Sequence, residues 1–354
     1  MVTATLKIAG RLICEEGPAF IVAEAACNHM CDLNTALRMV DAAAEAGADA
    51  IKFQTYKSER LVDRQVESYW HGPEGNTSQW AYYKRLDRFG REEYQALFLH
   101  AQHKGLIAFS TPFDCESASL LNELGMPVFK IASCDLPDVR LLRHVASFRK
   151  PVILSTGAAE LPEIRAALEI LQAHGAQGVA LLACTMSYPT PVDQAHLRRI
   201  ETLRHHFPDC VIGNSDHTEP DPHMMIPAIA VTLGARIVEK HFTLDRTWTG
   251  SGHFFSTNPS DLRAMVEGIR LCEKVLGSPE IRVQEVERLA RERARRSLVA
   301  ERAIRKGEVI TQQMIGIKRP GTGLSAALID QVVGKRAKVE IGYDQQIRME
   351  HLLE

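Results

Sequence analysis

Residues Arg236–Phe242 read RIVEKHF, and the reading of this stretch decides between two folds. Two β-branched residues, Ile237 and Val238, run directly into Glu239, Lys240 and His241, so a segment that begins as a buried strand ends in three ionisable side chains. It is the last of eight such stretches. The others are FIVAEAA from Phe20, DAIKFQ from Asp49, LIAFSTPF from Leu106, VFKIAS from Val128, PVILSTG from Pro151, VALLACT from Val179 and CVIGNSD from Cys210. Near-continuous apolar runs belong to strands covered on both faces, as in a parallel sheet. The segments between them carry apolar residues at helical spacing, as in NTALRMVDAAAEAG (Asn34–Gly47) and REEYQALFLHAQHKG (Arg91–Gly105), and many end in Gly just before the next strand. Eight strand–helix units over roughly 250 residues predict an α/β protein built on a TIM (β/α)8 barrel. An open doubly wound sheet is the alternative.

The chain has 354 residues, 45% of them hydrophobic, and a formal net charge of -2. That length allows one large domain and a smaller one. A balanced charge offers no basic field for nucleic acid or anionic lipid, while local clusters can still bind a phosphorylated metabolite. The N-terminal residues lack the apolar core of a secretory signal, and no uncharged run is long enough to span a bilayer, so a cytoplasmic protein is expected. Eight scattered cysteines read as reduced thiols rather than a disulfide framework. The cluster CNHMC (Cys27–Cys31) lacks the second ligand pair of a zinc site and reads as a loop.

The barrel is expected over 1–282, a charged connecting helix over 283–296 (VQEVERLARERARR), and a small, mostly β domain over 297–354. The long connection Lys57–Gly90 carries Trp70, His71, Trp80, Tyr82 and Tyr83, and is expected to fold over the barrel's C-terminal face.

Chemistry in such a barrel sits at the C-terminal strand ends, and here those ends are polar as a set. They carry Glu24, Lys52 and Gln54, Thr111, Lys130 with Ser133 and Asp135, Ser155, Tyr188, Ser215 with His217, and Glu239 with His241. Lys52 and Lys130 lie inside apolar runs, where an unpaired ammonium costs several kcal/mol, so something anionic is expected to meet them. Hydroxyls at Thr111, Ser155 and Ser215 are donors of the kind that surround a phosphate or carboxylate. No GxGxxG or Walker sequence indicates a nucleotide. His217 and His241 come from neighbouring strands and can share a divalent metal such as Mn²⁺; two neutral histidines in a polar network are the alternative. Period-two alternation puts Glu239 on the side of His241 and Lys240 on the other.

In order, the motifs AEAACNH, IKFQTY, STPFD, KIAS, ILSTG, CTMSYPTP, NSDHT and EKHFT resemble those of the N-acetylneuraminate (sialic acid) synthase family. The segment containing KRPGTGL (Lys318–Leu324) resembles that family's antifreeze-like (SAF) domain. The resemblance implies a condensation of phosphoenolpyruvate with an open-chain amino sugar, assisted by Mn²⁺ or Mg²⁺. The acceptor would be N-acetylmannosamine or a related di-N-acetyl 6-deoxyhexose. By motif, His217 and His241 would bind the metal; Lys52, Asn76, Thr111, Lys130, Ser133, Ser155 and Ser215 would hold phosphoenolpyruvate; Gln54 and Tyr188 would face the sugar. Glu24 and Asp135 would be the catalytic carboxylates, and Arg319 would reach a partner's site in a domain-swapped homodimer. Two positions depart on the sugar side: Gly252 stands where the family carries Asp, and Met186 where some members carry Asn. A metal-dependent barrel hydrolase and a non-catalytic carbohydrate-binding homologue are the competing functions.

Overall fold

The computed structural model describes residues 4–70 and 78–353. It divides into two compact units, Met1–Gly277 and Ser278–Glu354. In the first unit the strands are β1 (Thr5–Ile8), β2 (Arg11–Cys14), β3 (Phe20–Ala26), β4 (Ala50–Thr55), β5 (Ile107–Pro112), β6 (Phe129–Ile131), β7 (Val152–Ser155), β8 (Val179–Cys184), β9 (Val211–Asp216) and β10 (Ile237–His241). Strands β3 to β10 form one parallel sheet in the order β5-β4-β3-β10-β9-β8-β7-β6, and its end strands β5 and β6 lie against each other. The ring therefore closes around RIVEKHF, which pairs with the first barrel strand on one side and the seventh on the other. This is the (β/α)8 barrel, and the open-sheet alternative falls.

The helices follow from sequence in the expected way. Leu33–Glu45 buries Ala36, Met39, Val40 and Ala43, spaced by three and four, and the Asp32 side chain accepts from the Thr35 amide at 2.7 Å to cap its start. That buried stripe joins Ile21 and Ile51 of the strands in one apolar cluster, in which the Met, Val and Ile side chains each contribute roughly 1.5–3 kcal/mol.

A hairpin absent from the eight-run reading completes the unit. Strands β1 and β2 pair antiparallel across Ala9 and Gly10, both at positive φ, as a two-residue turn with right-handed strand twist requires. Leu6, Ile8 and Ile13 are fully buried, in one cluster with Phe20, Val152 and Val179 at the N-terminal ends of barrel strands. Gly178, just before β8, has φ 104, and a Cβ there would stand 2.9 Å from Leu6 Cδ1. The hairpin thus floors the barrel, and the open end is left to the C-terminal strand tips.

The second unit contains the antiparallel pair β11 (Ser297–Ala300) and β12 (Ile315–Lys318) over its own apolar cluster, which includes Leu298, Ile304, Ile310, Ile341 and Ile347. It begins with an exposed charged stretch that includes the helix Arg288–Ala294. Among the described residues no helix is long and apolar enough to cross a membrane.

Candidate active site

One cavity of about 160 Å³ opens among the strand tips. Its lining includes Glu24 of β3, Lys52 and Gln54 of β4, Thr111 of β5, Lys130 of β6 with Ser133 beyond it, and Ser155 of β7. Cys184 of β8 with Met186 and Tyr188 beyond it, Ser215 of β9 followed by His217, and Glu239 and His241 of β10 complete the strand-end contribution. The parallel register brings these groups level: Glu24 lies opposite Lys52 and His241, and Glu239 opposite Ser215.

At the centre are two lysines and two carboxylates, all buried. Lys52 Nζ is 2.8 Å from Glu24 Oε2 and 3.5 Å from Glu239 Oε1, and donates to Thr111 Oγ1 at 2.9 Å. Lys130 Nζ is 3.7 Å from Glu239 Oε1. Ser215 Oγ donates to the same Glu239 oxygen at 3.0 Å, and Gln54 Nε2 donates to Glu24 Oε1 at 3.3 Å. Burial pushes the Glu24 carboxyl up to about 7 even though Lys52 pulls the other way. For Glu239 burial pushes up as well, but Lys130 and Lys52 together hold it below the usual carboxylate range. Burial lowers Lys130, whose carboxylate contact is the looser of the two. Near neutral pH two ammoniums thus face one full carboxylate and one that is partly protonated. The excess is positive, and the buried Ser155 Oγ and Glu239 Oε2 have no hydrogen-bond partner. A small anion with several oxygens answers the positive excess and can accept from the Ser155 hydroxyl; Glu239 Oε2, an acceptor, calls instead for a donor.

Beside this cluster the rings of His217 and His241 have centroids 5.3 Å apart. The Thr185 carbonyl is 2.9 Å from His217 Nδ1 and can only accept, so Nδ1 carries a proton and Nε2 is the nitrogen that could face a metal; burial pulls His217 down, but Cys184 and this carbonyl hold it above its usual range. Burial, then the neighbouring His217 and Lys52, hold His241 well below its usual range, so its ring is neutral, and its buried Nδ1 has no partner. Two neighbouring imidazoles would fit a borderline divalent ion, which His217 would bind in its neutral form. Among the described residues no group of three or more His, Cys, Asp or Glu is arranged to hold one, so further ligands would have to be oxygens from outside this pair.

One expected site residue, Asp135, does not line the cavity. Asp135 ends a 3-10 turn after β6; Ser133 and Cys134 of that turn line the cavity and Asp135 does not. It is half-buried, and burial and nearby Asp138 raise its carboxyl to about 7. Arg319 belongs to the second unit. Asn76 lies outside the described residues.

Conversely, the structure adds groups. Glu239, which alternation placed on the side of His241, is the carboxylate shared by both lysines. Lys240, on the other face, pairs with Asp216 at 2.6 Å and donates to the Thr218 carbonyl at 2.8 Å, so it is structural. Tyr69, Trp70, Tyr82 and Tyr83 of the long connection form an aromatic wall, signalled by that segment's composition. Trp248, Phe254 and Phe255 complete it from the segment after β10, where only Gly252 had been singled out, by resemblance.

The chain matches the NeuB family model over residues 39–281 and the SAF domain model over residues 295–353. It is 37% identical to the N,N'-diacetyllegionaminic acid synthase of Campylobacter jejuni, over 93% of this chain and 98% of that one. It is 32% identical to the N-acetylneuraminate-9-phosphate synthase of Homo sapiens, over 98% and 95% respectively. Among solved structures, the N-acetylneuraminic acid (sialic acid) synthetase of Leptospira borgpetersenii, determined in complex with citrate, superposes with a TM-score of 0.73 at 36% identity, covering 81% of this chain and 95% of that one.

Proposed function

The chain belongs to the NeuB family, and from that premise we propose that it condenses phosphoenolpyruvate with an N-acetylated hexosamine to give a nonulosonic acid, with release of phosphate. It is a carbon–carbon bond-forming synthase. The observation that carries the substrate reading is the positive excess at Lys52 and Lys130 next to an unpartnered Ser155 hydroxyl. Phosphoenolpyruvate, whose carboxylate and phosphate are both attached to C2, supplies the missing negative charge and acceptor oxygens.

In the reaction the methylene carbon of phosphoenolpyruvate bonds to the aldehyde carbon, whose oxygen takes a proton. Water bonds at C2, and phosphate leaves with the oxygen that joined it to C2. The sum is phosphoenolpyruvate plus aldose plus water giving a 2-keto acid plus phosphate. Lys52, Lys130, Thr111, Ser133, Ser155 and Ser215 hold the anion, while Gln54 and Tyr188 face the sugar. Glu24, with a carboxyl at about 7, can hold or release the proton of the added water near neutral pH. A divalent ion, Mn²⁺ or Mg²⁺, would be held by His217 and His241 and would polarise the aldehyde. In this reading the protein works in the cytoplasm as a domain-swapped homodimer in which Arg319 serves the partner's sugar site.

The test is phosphate release from phosphoenolpyruvate with Mn²⁺ and a panel of N-acetylated hexoses, with the product identified by mass. Release that requires both sugar and metal supports the reading. Metal-independent turnover, or none with any sugar, refutes it.

A further inference from the structure

Strands β9 and β10 carry a charged pair on the face turned away from the cavity, and the proposed reaction does not use it. Lys240 Nζ has three acceptors, one for each of its protons: Asp216 Oδ2 at 2.6 Å, the Thr218 carbonyl at 2.8 Å and Thr218 Oγ1 at 3.2 Å. Asp216 closes the knot, its Oδ1 accepting from the Thr218 amide at 2.9 Å and its Oδ2 from Thr218 Oγ1 at 3.1 Å. All three residues are buried. Burying such a pair is costly, and well-packed apolar residues of similar volume often serve stability as well or better. What the pair gives in return is position.

The ladder between the two strands ends at Lys240 opposite Asp216. Ser215 and Glu239 lie within it, so strand pairing already fixes them, whereas His217 is the first residue beyond the end of β9. Both chain neighbours of His217, Asp216 and Thr218, are tied to Lys240, and Lys240 directly precedes His241. From the other side the Thr190 amide donates to the His217 carbonyl at 2.9 Å. His241 depends on its backbone in the same way. A ligating imidazole is ordinarily aimed by a hydrogen bond to its second nitrogen, but the buried His241 Nδ1 has no partner among the described residues. Its ring is set by the strand beneath it and by packing, with centroids 5.9 Å from Tyr188 and 5.0 Å from Phe255.

We propose that Lys240 and Asp216 are positioning residues that fix the spacing of His217 and His241, and through it the affinity of that pair for a divalent ion. The proposal rests on the metal assignment made in the condensation reading above.

The test is Mn²⁺ binding to the full chain, with free Mn²⁺ read by electron paramagnetic resonance, in the parent and in the double variant Asp216→Asn/Lys240→Met. Asn keeps an acceptor for the Thr218 amide and Met keeps the bulk of the lysine stem, so the tie between strands is lost without stranding a charge. The Mn²⁺ dissociation constant should rise about 10- to 100-fold. Affinity for phosphoenolpyruvate without metal, measured by calorimetry, should stay that of the parent, because Lys52, Lys130 and Ser215 are held by strands the variant leaves paired. Unchanged Mn²⁺ affinity overturns the proposal, and so does an equal loss of Mn²⁺ and phosphoenolpyruvate affinity, which marks a merely structural pair. Thr218→Val removes one hydroxyl from the knot and should weaken Mn²⁺ binding severalfold; no change there overturns the proposal even if the double variant fails to fold. A parent that binds no Mn²⁺ overturns the metal assignment as well, a result distinct from binding that the variants retain.

Discussion

Replacing Glu239 by Gln removes the negative charge between two buried lysines while keeping the side chain's size. At an effective dielectric near 20, a pair of unit charges at the 3.5 Å separating Lys52 Nζ and Glu239 Oε1 attracts by about 5 kcal/mol. Lys130, at 3.7 Å, is the residue left without a full carboxylate, because Glu24 is partly protonated. Breaking a buried pair by removing one partner costs about 3–5 kcal/mol. For a unit this size each kcal/mol moves the midpoint by about 2–4 °C, so Glu239→Gln should lower the melting temperature of the barrel by roughly 6–20 °C. Calorimetry of the ligand-free protein is the assay, and adding phosphoenolpyruvate is its control. The anion supplies the charge that the substitution removes, so it should stabilise the variant more than the parent. A loss of no more than 2 °C, or an equal ligand effect in both proteins, would refute the charge balance drawn here.

Glu24 gives a pH prediction. Its folded pKa of about 7 lies above the ordinary carboxylate value of 4.5, so the fold holds this proton more tightly than the unfolded chain does; this group's effect on stability turns unfavourable as pH rises from 4.5 through about 7. If the carboxylate is the working base, kcat/KM rises across the same upper range, and Glu24→Gln should erase that limb; a rising limb that survives the substitution refutes the role. His241→Ala should abolish activity and also lower the bound Mn²⁺ measured on the isolated protein, and undiminished metal content would show that the ion lies elsewhere. Arg319→Ala should raise acceptor KM and spare phosphoenolpyruvate KM; unchanged sugar kinetics would remove Arg319 from the site.

What was legible in the sequence follows from what local patterns encode. Two-face burial makes the barrel strands near-continuous apolar runs, and their polar tips stand out against them, so Lys52, Lys130, His217 and His241 could be read without coordinates. Period-two alternation separated Glu239 from Lys240. The β1/β2 hairpin escaped because its role depends on Leu6 meeting Gly178, which are far apart in the chain. Asp135 was misplaced for the opposite reason: it is close in sequence to Lys130, but the chain leaves the strand in a 3-10 turn after Ile131, and alternation no longer says which residues face the cavity. The position of Phe255 follows from its fit over Gly252, which no periodicity announces.

In the proposed condensation, the charged centre and the wall that would meet the acceptor belong to different parts of the chain. Lys52, Lys130, Glu24 and Glu239 sit on strands whose register is fixed by hydrogen bonds to both neighbours or by closure of the ring, so moving one would leave a buried charge unpaired. The penalty is paid by the fold, whatever the acceptor. The segment Trp248–Phe255 bears no such constraint: its groups facing the cavity are neutral, and a substitution there changes shape and polarity without stranding a charge. Phe255 with Gly252 is one solution at that wall, and because a Cβ at 252 would stand 2.7 Å from Phe255 Cε1, Gly252→Asp must displace that ring.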